Sequence, residues 1–320
     1  MNTAAQQQNP FDLFGDAHTQ TELQLSQAQH SEAPEFDDFE TLYLEPKRSI
    51  AHSIAPGIYH DLSNRDYHRD QSISKSGLDW IDKNPSQLVW SQNAPRDEEK
   101  EAALDFGTAT HTLLLEPENF DKQFVVGPNH ARRSNAEKEA WAKFEEENTD
   151  RKIITFEEHR KLMIMRESVF AHPVARMIFE TEGYNEASIF WKDKETEEMC
   201  RIRPDRAIKF NDRPIIVDVK KVEGLDRFEK HVEEFRYYVQ DAMYTDGYEQ
   251  HFGVRPEFWF LCVSSSVSAG KYEVEVVKLP DHWKEAGHEK YRENLETYSH
   301  CRRNDDWLHI RELERPRWAK

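Results

Sequence analysis

Apolar positions fall in two regimes along this chain. Through residues 1 to about 55 they form short clusters, Phe11, Leu13 and Phe14, then Phe36, Phe39, Leu42, Tyr43 and Leu44, in a background of Gln, Ser and Ala with no sustained period. Beyond Pro56 the periods of helix and strand take over. Leu78 and Ile81, then Leu88 and Trp90 after Pro85, predict two short helices meeting at a proline turn, with Ser74 or Ser76 as the first N-cap. Leu104, Ala109, Leu113 and Leu114 form a helical stripe that encloses His111, and Gly107 is expected to permit close backbone approach. Residues 129–172 are polar and helix-rich.

From Glu186 the pattern switches to strands. Ala187 to Trp191 and Met199 to Arg203, joined by a polar turn, predict a hairpin that delivers Asp205. The β-branched run Ile215, Ile216, Val217 predicts a buried strand, whose alternation puts Asp218 and Lys220 on one face. A long helix is predicted next, with Phe228, Val232, Phe235, Val239 and Ala242 on its apolar stripe and Gln240 and Tyr244 one turn apart beside it. Strands at 257–263 and 272–277 follow, the second with Tyr272, Val274 and Val276 inward. A helix from Asp281 to about Cys301 closes the domain. No internal repeat is present.

Charge changes the picture of the first regime. Nine acids between Asp12 and Glu45 face only Lys47 and Arg48, which makes residues 1–55 an expected disordered acidic tail and 56–320 the folded domain. The tail's aromatic clusters are candidate docks for a partner. The whole chain of 320 residues carries 43 basic against 61 acidic residues, a net charge of −18 that opposes non-specific attraction to nucleic acid. No apolar run approaches the roughly 20 residues of a membrane span, and the polar start lacks signal-peptide regions, so a cytoplasmic location is expected. Three scattered cysteines, Cys200, Cys262 and Cys301, imply neither a disulfide framework nor a CxxC metal site.

The chemistry concentrates between Asp205 and Tyr244. Two carboxylates and an ammonium at a strand end suit a hard cation, Mg²⁺ or Mn²⁺, and a lysine beside it can orient or deprotonate a water for attack on a phosphodiester. Asp-x-Lys alone is a weak signal in a chain with 32% charged residues, and a structural Asp and Lys at a strand end is the competing reading. Likewise, a histidine among leucines is more often a packed core residue than a ligand, and the Arg132-Arg133 pair suits a solvated loop as well as phosphate contact.

Five segments together carry a resemblance: GTATH with His111, NEASIFW with Glu186, CRIRPDR with Asp205, IIVDVK with Asp218 and Lys220, and VQDAMYTDGYEQHFGV with Gln240 and Tyr244. In this order they resemble the RecB-like (D/E)xK nuclease superfamily and, within it, the catalytic domain of exodeoxyribonuclease VIII of the RecE type, from about Gly57 through the closing PRWAK. The resemblance implies an α/β fold with a mixed central β-sheet flanked by helices and the site at one sheet edge. It further implies a Mg²⁺-dependent, ATP-independent exonuclease that digests duplex DNA 5′ to 3′ and leaves 3′ overhangs for strand annealing, with Mn²⁺ as a substitute ion. His111, Asp205, Asp218 and the Val219 carbonyl would hold metal, Lys220 would act on the water, and Gln240 and Tyr244 would support the site, with Glu186 a further candidate. Lys221 stands where the family tends to have threonine, and with Arg132 and Arg133 it is a candidate DNA contact. Expected partners are duplex DNA ends, a single-strand annealing recombinase and further copies of the chain in a homotetrameric ring, whose basic lining would offset an acidic exterior. An iron–sulfur relative would need four cysteines. A silent acidic protein that binds a recombination partner is the alternative reading.

Overall fold

A computed structural model of the protein describes residues 54–92, 98–130, 132–308 and 315, leaving aside the side chains of 92 and 98–105. The predicted tail up to residue 53, with its docking clusters, and the closing run 316–320 lie outside the described residues.

Among the described residues the order is β1 (Gly57–Tyr59), α1 (Asn64–Arg69), α2 (Lys75–Lys83), α3 (Pro85–Gln92), α4 (Glu98–Leu115), α5 (Pro117–Gln123), β2 (Phe124–Val126), α6 (Asn135–Glu147), β3 (Lys152–Ile154), α7 (Phe156–Ala171), α8 (Pro173–Glu180), β4 (Gly183–Asn185), β5 (Ser188–Lys192), β6 (Met199–Ile202), β7 (Arg206–Phe210) and β8 (Arg213–Val222). A single 3₁₀ turn, Leu225–Arg227, leads to α9 (Phe228–Glu234), α10 (Tyr237–Phe252), β9 (Glu257–Ser268), β10 (Lys271–Val277) and α11 (Asp281–Asn304). The proline-separated pair α2 and α3 forms as expected, with Ser74 rather than Ser76 accepting the capping hydrogen bond from Gly77 N–H.

The principal sheet has five strands in the order β10-β9-β8-β7-β4, parallel between β8 and β9 and antiparallel elsewhere. The strand of Asp218 and Lys220 is therefore central, not at an edge as expected. It is central because both of its faces are apolar. Ile215, Val217 and Val219 pack with Met165, Val169, Ala175 and Ile178 of α7 and α8, while Ile216 and Val222 pack with Val239, Ala242 and Met243 of α10 and Tyr291 and Leu295 of α11. Burial from water on both sides supplies the main driving force for such a strand.

Three expectations need correction. The hairpin predicted at 187–203 forms as β5 and β6, but it belongs to a separate three-stranded sheet in the order β1-β5-β6; Asp205 lies beyond it, at the entrance to β7. The long helix after Lys220 is two helices, α9 and α10, broken at Phe235 and Arg236. Gly107 faces open space where a Cβ would be, so no close approach requires it. Close approach is needed elsewhere: a Cβ at Gly287 would lie 2.2 Å from the Tyr238 carbonyl oxygen, where α11 meets α10. Among the described residues no helix is long and apolar enough to cross a membrane, and Cys200, Cys262 and Cys301 are buried free thiols.

Candidate active site

The site begins with a hairpin register. Asn211 and Asp212 both take positive φ, 50° and 61°, the combination that a two-residue turn between twisted strands requires. That turn pairs Phe210 with Arg213 and, at the far end, Arg206 with Val217. One further step brings Asp205 opposite Asp218. Because the β7 ladder ends there, Val219 is left with main-chain groups that no β7 residue pairs. Its N–H donates to Asp205 Oδ2 at 2.6 Å, and its carbonyl oxygen lies 3.0 Å from His111 Nε2, which is also 3.1 Å from Asp205 Oδ2.

The histidine is surrounded by acceptors. Its Nδ1 faces the Gly107 carbonyl at 3.0 Å, while Nε2 faces a carboxylate and a carbonyl. A neutral ring can donate only one proton, so a neutral His111 that donates from Nδ1 turns its Nε2 lone pair on two oxygens. That arrangement is stable with a second proton or with a shared cation. Between these residues the proton is favoured: burial opposes it, yet the Asp205 charge and hydrogen bond raise the His111 pKa to about 10. Burial would lift Asp205, but His111, Lys220 and the Val219 N–H hold it below the ordinary carboxylate range.

Asp218 is built in the opposite sense. Gln240 Nε2 donates to its Oδ1, and Gln240 Oε1 accepts from Lys220 Nζ at 3.1 Å, so both ends of the amide are fixed. Asp218 Oδ2 is buried against the Lys220 ammonium, with Nζ 2.6 Å away. Burial lifts this carboxyl above its ordinary range; Lys220 opposes the shift and Asp205 adds to it. Lys220 resists its own burial through Asp218 and lies 4.5 Å above the Tyr237 ring. Glu186 flanks the cluster with a left-handed φ of 51°, donates its N–H to the Asp205 carbonyl at 3.1 Å, and is pushed up to about 8 by burial and the Asp205 charge.

A divalent cation fits this donor set. Three donor atoms, His111 Nε2, Asp205 Oδ2 and Val219 O, converge with His111 Nε2 3.0–3.1 Å from the other two. Neighbouring ligands around an octahedral ion with bonds of about 2.1 Å stand about 3.0 Å apart. Among the described residues no trio of His, Cys, Asp or Glu side chains alone forms a metal cage, since the third donor here is a main-chain carbonyl.

The structure thus brings together His111, Asp205, Asp218, Val219, Lys220 and Gln240, with Glu186 at the margin. Tyr244, one turn beyond Gln240, packs its ring edge-on against Phe258 at 5.9 Å, and burial pushes its phenol well up. Lys221 is exposed, with its ammonium 5.3 Å from the Phe106 ring. Arg132 stacks on Trp141 at 4.2 Å and pairs with Glu145 at 2.6 Å, while Arg133 donates its main-chain N–H to Glu137 Oε2. These two arginines are therefore engaged with helix α6. Sequence reasoning missed Tyr237, whose role depends on the chain break before α10, and Arg203, whose guanidinium bonds Leu62 O at 2.9 Å and feels the Glu186 charge.

Comparison with known proteins agrees with this architecture. The fold is similar to a crystal structure described as "Putative exonuclease" from Eubacterium rectale, with a TM-score of 0.52, 13% sequence identity, and coverage of 80% of this chain and 95% of that one. No curated protein sequence matches significantly. Residues 74–309 match the family described as "PDDEXK-like domain of unknown function", DUF3799, whose name spells the pattern found here as Pro204-Asp205 and Asp218-Val219-Lys220. Because that match spans most of the protein, the chain belongs to this PDDEXK-like family and so to the PD-(D/E)xK nuclease superfamily.

Proposed function

We propose that the protein is a Mg²⁺-dependent exonuclease that degrades the 5′-ended strand of linear duplex DNA and leaves a 3′ overhang for recombination by strand annealing. The observation that carries the reading is the convergence of His111, Asp205 and the Val219 carbonyl beside the buried Asp218–Lys220 pair, whose Oδ2 and Nζ are 2.6 Å apart. A divalent cation held by Asp205, Asp218, the Val219 carbonyl and His111 would polarise the phosphodiester and acidify a nearby water. With its Nε2 proton lost to solvent, His111 would be a neutral ligand to such a cation, adding no negative charge beside the phosphate. Lys220, beside Asp218, would orient the attacking water, and Gln240, bonded to both, would hold them in register.

The net charge of −18 demands local cations for DNA. Arg65, His68 and Arg69 of α1 are exposed, and α1 is tied to the site through Arg203, which also reaches Asn64 Oδ1 at 3.4 Å. They supplement Lys221 and Arg133 as candidate phosphate contacts. Enclosure in a homotetrameric ring would keep such a protein on its substrate despite its charge, and a single-strand annealing protein is the expected partner. Residues 1–55 are proposed as a spacer or dock outside the catalytic domain, and residues 56–320 as that domain.

The test uses linear duplex DNA labelled on the 5′ or the 3′ end, and a circular control, with Mg²⁺ or EDTA. The reading requires Mg²⁺-dependent loss of the 5′ strand from linear DNA alone. Binding of a recombination protein without any cleavage would favour the alternative of a silent acidic partner.

A further inference from the structure

The break between α9 and α10 presents an aromatic ring where the sequence period would bury it. Phe235 continues the spacing of Phe228, Val232 and Val239, which are buried, yet it is 48% exposed. Arg236 turns the chain with φ 56°, a left-handed conformation that costs energy for a residue other than glycine and persists only where its surroundings enforce it.

The surroundings do enforce it. Arg236 lies 2.8 Å from Asp82 and 3.7 Å from Asp79, both on α2. Lys75, paired with Asp79 at 2.7 Å, donates to the Phe235 carbonyl at 2.6 Å. Lys290 of α11 adds a further pair with Asp82 at 2.9 Å. Three cations and two carboxylates thus hold one apolar ring toward solvent.

The ring stands close to the reacting centre. Phe235 and Tyr237 lie 5.7 Å apart, tilted by 32°, and Tyr237 carries Lys220 Nζ 4.5 Å above it. The Phe235 centroid is therefore at most about 10 Å from the catalytic ammonium. We propose that Phe235 is a stacking platform for a nucleobase of the cleaved strand, next to the phosphate that Lys220 addresses. The proposal rests on the nuclease reading above. A nucleobase suits the position because the adjoining phosphate would lie toward Lys220, and because every base offers a π-face, so a nuclease of broad sequence range can use one ring.

The experiment places 2-aminopurine at successive terminal positions of a linear duplex and binds it to full-length Lys220→Ala protein, which holds DNA uncut. An emission change at one position is expected, lost in Lys220→Ala/Phe235→Ala and restored in Lys220→Ala/Phe235→Trp. With Lys220 intact, Phe235→Ala should lower kcat/KM by between about 5-fold and about 100-fold, Phe235→Trp should stay near the parent, and both should keep the parent's melting temperature and sedimentation. Unchanged emission and kcat/KM in the Phe235→Ala forms would overturn the proposal, as would a changed sedimentation coefficient, which would assign the ring to a subunit contact. A parent that cuts no DNA overturns the nuclease reading instead, and that result appears before any variant is made.

Discussion

Asp193 and Asp218 are both buried acids beside a cation, and they are built for opposite ends. Asp193, in the turn between β5 and β6, accepts from the Thr196 N–H and hydroxyl at 2.8 Å each and from Arg292 at 2.6 and 3.2 Å. Burial would raise its carboxyl, but these donors hold it below the ordinary range. Glu198, close by, accepts from Ser299 at 3.2 Å and Arg302 at 2.6 Å, so α11 is fastened to the hairpin by satisfied pairs. Asp218 accepts from Gln240 on one oxygen and pairs with Lys220 on the other, yet burial, with Asp205 beside it, lifts its carboxyl above its range. Buried charge alone therefore does not mark a site; a second acid crowded against a buried acid–lysine pair does, as Asp205 is against Asp218 and Lys220.

The widest separation between the two clusters should appear in activity. Asp218→Ala and Lys220→Ala should each cut DNA hydrolysis by about a thousandfold or more, the scale of losing a principal electrostatic group. Each also leaves the other member of a buried pair without its partner, so each should lose some stability as well. A Lys220 variant that cuts at the parental rate would dissolve the distinction.

Asp193→Ala should lose stability and spare activity. Leaving Arg292 half-paired should lower the unfolding free energy by roughly 2–4 kcal/mol, read from urea midpoints, while cleavage well below the melting temperature stays within twofold of the parent. Next in size is Gln240→Ala, expected to slow cleavage by about 10-fold to 100-fold with little loss of stability. Loss of fold in this variant would move Gln240 to the structural side.

The smallest effect concerns Asp241, next to Gln240 on α10. Burial raises its pKa to about 7, against Lys284 and Arg255, and one oxygen is buried without a hydrogen bond. For an acid with a raised folded pKa, the native state holds more protons than the unfolded one between the ordinary value of 3.8 and about 7, so stability falls as pH rises through that window. Asp193 contributes with the other sign: its stabilisation is present above its ordinary value of 3.8 and is lost as pH falls below it. Urea midpoints at pH 5 and pH 8 should therefore differ more for the parent than for Asp241→Asn, by roughly 1–3 kcal/mol. Equal pH dependence in both proteins would count against the buried, proton-poor setting of Asp241.

Much of the site was legible because its residues lie on elements with strong periods. Alternation along β8 correctly put Asp218 and Lys220 on one face, and the four-residue spacing of Gln240 and Tyr244 survived on α10. Asp205 was found from its place before the strand, although the hairpin that presents it is β7 with β8 rather than the pair read from the pattern. That strand escaped notice because only Arg206, Ala207 and Ile208 of its five residues are buried. The break at Phe235 and Arg236 was invisible for a different reason. Hydrophobic spacing runs through it unbroken, and the ion pairs with Asp79 and Asp82 that set the turn are distant in sequence. The pairing of Arg132 with Glu145 belongs to the same class, since nothing in an Arg-Arg dipeptide tells which acid will claim it.

On the proposed function Asp218 is held for a cation and Lys220 for the chemistry. Calorimetric titration with Mn²⁺ of the parent, Asp218→Ala and Lys220→Ala tests it directly. The parent should bind, Asp218→Ala should bind at least tenfold more weakly, and Lys220→Ala should bind no more weakly than the parent, because its carboxylate has lost a competitor. Binding by Asp218→Ala as tight as the parent's, or no binding by the parent, would contradict it.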